Sequence, residues 1–136
     1  MTILCRRAVL AAALWCVPVA AQAAETRAKA DVNCQALPTR LQYDCTLRLA
    51  NARTDEPLSG ATVRVGADMP SMPMAHNVRP VQATAEPEAG TYRARLTLEM
   101  HGDWALRIDV TGPVRDRIVK LMRFEPGRAE PSPRSR

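Results

Sequence analysis

The chain has 136 residues, a formal net charge of +5 at neutral pH, and 46% hydrophobic but only 4% aromatic residues. This length fits one domain of ordinary size and is too short for two. The basic excess is small and no aromatic residues interleave with a basic patch, so we expect no nucleic acid among the partners.

The first 23 residues have the features of a signal peptide. Arg6 and Arg7 precede an apolar run over residues 8–21, and the Ala-Gln-Ala sequence at 21–23 is the small-x-small pattern that signal peptidase reads. The run has about 14 residues, fewer than the roughly 20 that a membrane-spanning helix needs. We therefore expect a cleaved signal peptide over residues 1–23 and a periplasmic protein, with a retained membrane anchor as the alternative.

Two cysteines stay in the chain after this cleavage. Removing 23 of the 136 residues leaves 113, and Cys5 and Cys16 leave with the signal peptide. Cys34 and Cys45 remain as an even pair in an oxidising compartment, which favours a disulfide between them. Closing so short a loop contributes about 3 kcal/mol in the chain-entropy model. Two free thiols that bind a metal are the alternative.

Alternation of apolar and polar side chains is the main pattern of the mature chain, and no long segment has a helical period. The positions on the apolar side are Tyr43, Cys45, Leu47 and Leu49; Val63 and Val65; Tyr92, Ala94, Leu96, Leu98 and Met100; Trp104, Leu106, Ile108 and Val110; and Ile118, Met122 and Phe124, together with Lys120. Six or seven short strands separated by turns predict an all-β fold, an antiparallel immunoglobulin-like β-sandwich. A small β-barrel has the same strand pattern and is the alternative.

The two clearest strands, around residues 92–100 and 104–110, are expected to form a hairpin. Residues opposite each other in an antiparallel pair share a face, so both apolar rows face the core only if Met100 pairs with Trp104. The loop of the hairpin would then be residues 101–103. Beyond the last strand, residues 125–136 are rich in proline and charge and are predicted to be a disordered tail.

The segment 69–76, Met-Pro-Ser-Met-Pro-Met-Ala-His, combines three thioethers with one imidazole. Its prolines favour an extended backbone, and a strand period then places Met72, Met74 and His76 along one edge. Thioethers are soft ligands that select Cu(I) and need no deprotonation to bind it. The segment therefore predicts a copper site.

A fourth ligand is expected from Met100 at the tip of the predicted hairpin, with Trp104 covering the metal on one side. This requires the tip to lie beside the methionine segment. In the alternative interpretation Met72 and Met74 are flexible core filler and His76 binds a backbone carbonyl. Methionine spacing alone does not decide between the two.

No sequence pattern indicates an enzyme. A paired nucleophile and base, a glycine-rich phosphate loop and a zinc motif are all missing from the sequence, so we expect none of these activities. Two functions stay open: copper binding or delivery, and a metal-free interaction module whose Met-Pro loop docks onto a membrane complex.

Three motifs in order resemble the YtkA-like or FixH-like domain of bacterial exported proteins. They are the run 68–76, the sequence Gly-Thr-Tyr at 90–92, and Met-His-Gly-Asp-Trp-Ala-Leu at 100–106, within a likeness over about 41–119. The resemblance implies an immunoglobulin-like sandwich over residues 28–124, outside the cytoplasmic membrane. It also implies copper handling or the assembly of a copper-containing respiratory oxidase. The site positions that match the family are Met72, Met74, His76, Met100 and Trp104.

Overall fold

The computed structural model describes residues 26–133, so the predicted signal peptide over residues 1–23 lies outside the described residues. These residues contain nine strands: β1 (Ala28–Ala36), β2 (Gln42–Asn51), β3 (Thr62–Asp68), β4 (Asn77–Gln82), β5 (Thr84–Ala85), β6 (Thr91–Thr97), β7 (Gly102–Thr111), β8 (Asp116–Glu125) and β9 (Arg128–Pro131). In this part of the chain no helix has the length and apolarity of a membrane span.

The strands form two antiparallel sheets that pack as a sandwich. One sheet has the order β1-β2-β6-β5, and the other has the order β4-β3-β7-β8-β9. The predicted all-β antiparallel sandwich is confirmed, with nine strands where the sequence predicted six or seven. Among the additional strands, β1 precedes the alternation that the sequence made clear, and β5 has only two residues.

The core lies between the sheets and is built from the alternating positions. Its largest fully buried side chains are Trp104, Tyr43, Tyr92 and Phe124. The rings of Tyr43 and Phe124 join the two sheets in an edge-to-face contact with centroids 4.7 Å apart. Burial of these apolar surfaces is the main stabilising contribution to the fold.

The predicted hairpin between the strands around 92–100 and 104–110 is wrong. Strand β6 pairs with β2 and β5, whereas β7 pairs with β3 and β8 in the other sheet. The chain therefore crosses the core between Thr97 and Gly102. Apolar rows on strands in facing sheets must also point inward, so alternation alone fits a crossing as well as a hairpin.

Residues 125–133 differ from the expectation of a disordered tail over residues 125–136, and the last three residues of that prediction lie outside the described residues. Strand β9 pairs with the last four residues of β8, and beyond it the Ser132 amide donates to the Leu121 carbonyl at 2.9 Å. The Ser132 side chain is buried and its hydroxyl lies 3.1 Å from Asp103 Oδ1. Backbone pairing and polar side-chain contacts order this segment, and neither requires the apolar residues whose scarcity predicted disorder.

The predicted disulfide is confirmed. Cys34 of β1 and Cys45 of β2 are bonded and are direct partners in the antiparallel register. This rules out the alternative of two free thiols that bind a metal.

The sandwich has two ends that carry different loops. One end, here called the methionine end, contains the turn 37–41, the methionine loop 69–76, the β6–β7 connection 98–101 and the turn 126–127. The loops 52–61, 86–90 and 112–115 lie at the opposite end. Every predicted metal ligand therefore belongs to loops at one end of the molecule.

Candidate metal site at the methionine end

The methionine loop folds into two consecutive turns, so the predicted extended backbone is wrong. The Met72 amide donates to the Met69 carbonyl at 3.0 Å, and the Ala75 amide donates to the Met72 carbonyl at 3.2 Å. Each proline occupies the second position of its turn. The φ angle that the proline ring fixes suits this position as well as it suits an extended backbone. Met74 follows Pro73 with a φ of +67°, as the third residue of a type II turn requires.

The first methionine of the loop belongs to the core. Met69 is buried, and its methyl group lies 3.3 Å from the position that a Cβ on Gly102 would occupy. The Met69 amide donates to the His76 carbonyl at 3.2 Å and closes the base of the loop. Met69 therefore fills the core, which is the role that the alternative interpretation gave to Met72 and Met74.

The other two methionines of the loop face solvent. Met72 is partly exposed and the Met74 side chain is almost fully exposed. The predicted alignment of Met72, Met74 and His76 along one strand edge is not found, because the turns replace the strand period. The three side chains share a loop of eight residues instead.

The β6–β7 connection lies beside the methionine loop, as the predicted site requires. His76 Nδ1 is 2.5 Å from Glu99 Oε2, across 23 positions of sequence. Met100, the next residue after Glu99, is partly exposed. The structure thus brings His76 and Met100 to the same end of the sandwich through the carboxylate of Glu99.

Trp104 supports this connection from beneath. Its side chain is fully buried in the core, and its indole nitrogen donates to the Met100 carbonyl at 3.2 Å. The sequence predicted that Trp104 would face Met100 across a hairpin and cover a metal at the surface. The observed position in the core differs from that prediction. The ring fixes the backbone that carries Met100.

Glu99 is the residue that sequence reasoning missed. In the sequence it occupies an outward position of an alternating strand, where a carboxylate resembles any solvated surface charge. In the structure it holds one nitrogen of His76 and thereby orients the ring. No local signal distinguishes it, because its partner is far away in the chain.

The model of the YtkA-like family matches residues 38–109, more than half of the chain. The chain belongs to the YtkA-like family. No curated protein and no solved structure gives a significant match. The matched region of this YtkA-like protein runs from the β1–β2 turn into β7 and includes both the methionine loop and the β6–β7 connection.

Family membership and the disulfide together indicate that this YtkA-like protein is exported. Disulfides persist in oxidising compartments and are rare in the cytosol. The bond between Cys34 and Cys45 fits that environment.

The donor set at the methionine end is soft. Within residues 26–133 no three His, Cys, Asp or Glu side chains cluster as a metal site. The methionine loop and the β6–β7 connection carry thioethers, imidazoles and the carboxylate of Glu99, which contacts His76. The nearby carboxylates of Asp68 and Asp103 form ion pairs with Arg107 and Arg123. Such a set favours a soft monovalent cation over the hard divalent cations that carboxylate clusters hold.

His101 is the last residue of the β6–β7 connection. It lines a surface groove of about 550 Å³ together with Leu37, Leu41 and Gly127. The groove lies at the same end of the sandwich as the methionine loop.

Proposed function

We propose that this protein is a periplasmic copper-binding or copper-delivery protein that holds Cu(I) at the methionine end. The proposed ligands are the thioethers of Met72, Met74 and Met100 and the imidazole of His76. One observation carries the proposal: a carboxylate holds His76 by one ring nitrogen, at the same end of the sandwich as three exposed methionines.

The contact between His76 and Glu99 supports a ligand role for the histidine. With Nδ1 facing a carboxylate at 2.5 Å, the proton resides on Nδ1 in the neutral ring and Nε2 carries the lone pair. Metal-binding histidines commonly donate their second N–H to a carboxylate in this way, which fixes the tautomer and raises ligand basicity. The His76 ring is partly exposed, so an ion can reach it.

The exposure of the methionines supports a role for their sulfur atoms. Met is ordinarily among the more buried residues, yet Met74 is 95% exposed and holds a left-handed backbone conformation that a side chain with a Cβ adopts at a cost. Packing gives no reason for a large apolar side chain at this position. Binding of a soft ion does, because an uncharged thioether binds Cu(I) directly.

The position of the ligands on loops supports delivery. A site at the end of a sandwich exchanges its ion with another protein without opening the core. The finer proposal, from the likeness to the family, is that the recipient is a copper-containing respiratory oxidase under assembly.

The first experiment is a titration of the purified protein against a chromophoric cuprous chelator without oxygen. We expect one Cu(I) per chain, and an affinity lowered at least about tenfold, or about 1.4 kcal/mol, in the double variant Met72→Leu, Met74→Leu. The matched control is Met69→Leu, the same change at the buried methionine of the same loop. An unmodified protein that takes no Cu(I) from the chelator, or equal losses in both variants, contradicts the proposal.

The second experiment tests the role of Glu99. Removing a carboxylate that orients a metal-binding histidine typically lowers metal affinity about 10- to 100-fold, so Glu99→Ala is expected to weaken Cu(I) binding by that factor. Glu88→Ala, a carboxylate removed at the opposite end, is the control and is expected to have no effect. Unchanged affinity in Glu99→Ala excludes His76 as a ligand oriented by this carboxylate.

A metal-free interaction module is the second candidate function. The observation that favours it is the exposed apolar side chain of Met74 at the same end as the groove lined by Leu37 and Leu41, since such surfaces dock partners. In this case the protein recovers a membrane complex in the presence of a copper chelator, and Met74→Asp lowers the recovery. Recovery that depends on copper contradicts the second function.

A further inference from the structure

The five methionines of residues 26–133 fall into two classes of exposure. The Met74 side chain is 95% exposed, and Met100 and Met72 are 37% and 36% exposed. Met122 and Met69 are 3% and 2% exposed. All three exposed methionines belong to the proposed ligand set, and both buried ones lie outside it.

We propose that Met72, Met74 and Met100 are oxidation sites, and that their conversion to methionine sulfoxide by hydrogen peroxide releases Cu(I) from the methionine end. This inference rests on the proposed function, because it assigns a regulation to the same site. Neither the fold nor family membership assigns any modification to these residues.

The chemistry is a two-electron transfer of oxygen. A lone pair of the thioether sulfur attacks one peroxide oxygen, so the O–O bond breaks as the S–O bond forms. The proton of the transferred oxygen passes to the departing hydroxide, which leaves as water. Sulfur is oxidised by two electrons and the peroxide is reduced by two, and no other reactant is needed.

The product is a poor ligand for Cu(I). A sulfoxide presents a hard oxygen in place of a soft thioether sulfur. Because the three exposed side chains contribute little to the core, adding a polar oxygen to them leaves the sandwich folded. The same reaction at Met69 or Met122 would place a polar group among buried apolar side chains and destabilise the fold.

Exposure sets the order of reaction. Met74 occupies the third position of a solvent-facing turn, so peroxide reaches its sulfur first. Met72 and Met100 follow at lower rates because part of each side chain is covered. Met69 and Met122 react only when the core opens, which makes them internal controls within one molecule.

The first experiment treats the copper-free protein with hydrogen peroxide and measures the 16 Da gain on each methionine by peptide mass spectrometry, a mass difference that follows from one added oxygen. We expect Met74 to be oxidised first, then Met72 and Met100, with Met69 and Met122 last. Circular dichroism checks that the fold persists while the exposed sites react. Equal rates at Met74 and Met69 in the folded protein overturn the proposal.

The second experiment compares the Cu(I) affinity of untreated and oxidised protein after the peroxide has been removed. We expect a loss of at least about tenfold, equivalent to about 1.4 kcal/mol, and recovery after treatment with methionine sulfoxide reductases for both epimers. Untreated and oxidised proteins that bind equally well overturn the regulation and leave the proposed function standing. An untreated protein that binds no Cu(I) overturns both, so the two failures are distinguishable.

Discussion

The two ends of the sandwich turn the chain with different kinds of residue. At the opposite end, Tyr92 donates its hydroxyl to the Leu58 carbonyl at 2.7 Å and accepts the Ala61 amide at 3.0 Å. The Gly90 amide donates to the hydroxyl of Ser59 at 3.0 Å. These loops are held by side chains that bind the backbone, an arrangement similar to the tyrosine corner of other sandwiches.

At the methionine end the loop 69–76 is held by its own backbone turns and prolines, by the buried Met69 at its start and by the contact of His76 with Glu99 at its end. This leaves the side chains of Met72 and Met74 outside the core, whereas the buried Tyr92 holds two backbone groups at its own end. Substitutions of buried residues at the opposite end should therefore destabilise the fold strongly, while substitutions of exposed residues at the methionine end should have little effect on stability.

Among substitutions at the opposite end, the largest expected loss of stability comes from Gly90→Ala. A Cβ at this position would lie 2.6 Å from the Leu49 carbonyl oxygen and 2.9 Å from Pro57 Cβ, and Gly90 has a φ of +70°. Overpacking and the left-handed conformation together are expected to lower the free energy of unfolding by about 3 kcal/mol. Denaturant unfolding with the disulfide intact measures this.

Gly60→Ala is the matched control for that change. Gly60 has nearly the same φ, +71°, but no atom lies within 4 Å of the added Cβ. The conformational cost of about 1 kcal/mol remains, and the lower entropy of the unfolded chain offsets part of it, so we expect a net loss of about 0.5 kcal/mol. Equal losses for the two variants would show that the close approach at Gly90 does not matter.

Tyr92→Phe is expected to have the next largest effect. It leaves the Leu58 carbonyl without its donor and the Ala61 amide without its acceptor, while the ring itself stays in the core. Unsatisfied groups that are largely buried cost about 1–3 kcal/mol, so we expect the free energy of unfolding to fall by about 2 kcal/mol. A loss below about 0.5 kcal/mol would mean that water replaces the hydroxyl.

Tyr43→Phe tests the corresponding tyrosine near the methionine end. The Tyr43 hydroxyl donates to the Glu125 carbonyl at 2.9 Å, a single hydrogen bond, so the expected loss is smaller, about 1 kcal/mol. Thermal or denaturant unfolding at neutral pH measures it. A larger loss than that of Tyr92→Phe would reverse the comparison between the ends.

The same residue predicts a pH dependence at alkaline pH. Burial raises the pKa of Tyr43 above its ordinary value of 10.0, because it disfavours the charged phenolate. The unfolded chain then releases its proton at lower pH than the folded chain does, so this contribution is fully present below pH 10 and is lost as the pH rises from there through the folded pKa. Stability measured across this window should fall less steeply in Tyr43→Phe, and equal slopes would contradict the assignment.

The sequence predicted the sandwich because the period of two is visible directly. Trp104, Leu106, Ile108 and Val110 alternate without interruption, and all four are buried. The pairing of the strands was not predictable from the same signal. The apolar side chains of β6 and β7 point into the core both when the two strands are neighbours in one sheet and when they lie in facing sheets. The choice depends on contacts with β2 and β3 that no local pattern records.

The candidate site was predictable in its residue types but not in its geometry. Pro70 and Pro73 fix φ at a value that both an extended chain and a turn accept, so the local sequence left the loop conformation open. The contact of His76 with Glu99 depends on the register of two sheets. Sequence reasoning could therefore name the histidine and could not name the carboxylate that orients it.

The smallest effect on stability is expected from Met74→Gly at the methionine end. Glycine accepts the left-handed φ of +67° without the cost of a Cβ, about 1 kcal/mol, but it adds a similar amount of entropy to the unfolded chain. Because the side chain is almost fully exposed, little packing is lost, and we expect the free energy of unfolding to change by less than about 0.5 kcal/mol. Met69→Ala, in the same loop but buried, should instead cost about 2–5 kcal/mol. A comparable loss in both variants would mean that the exposed methionine packs after all, and that stability rather than sulfur chemistry explains its presence at this end.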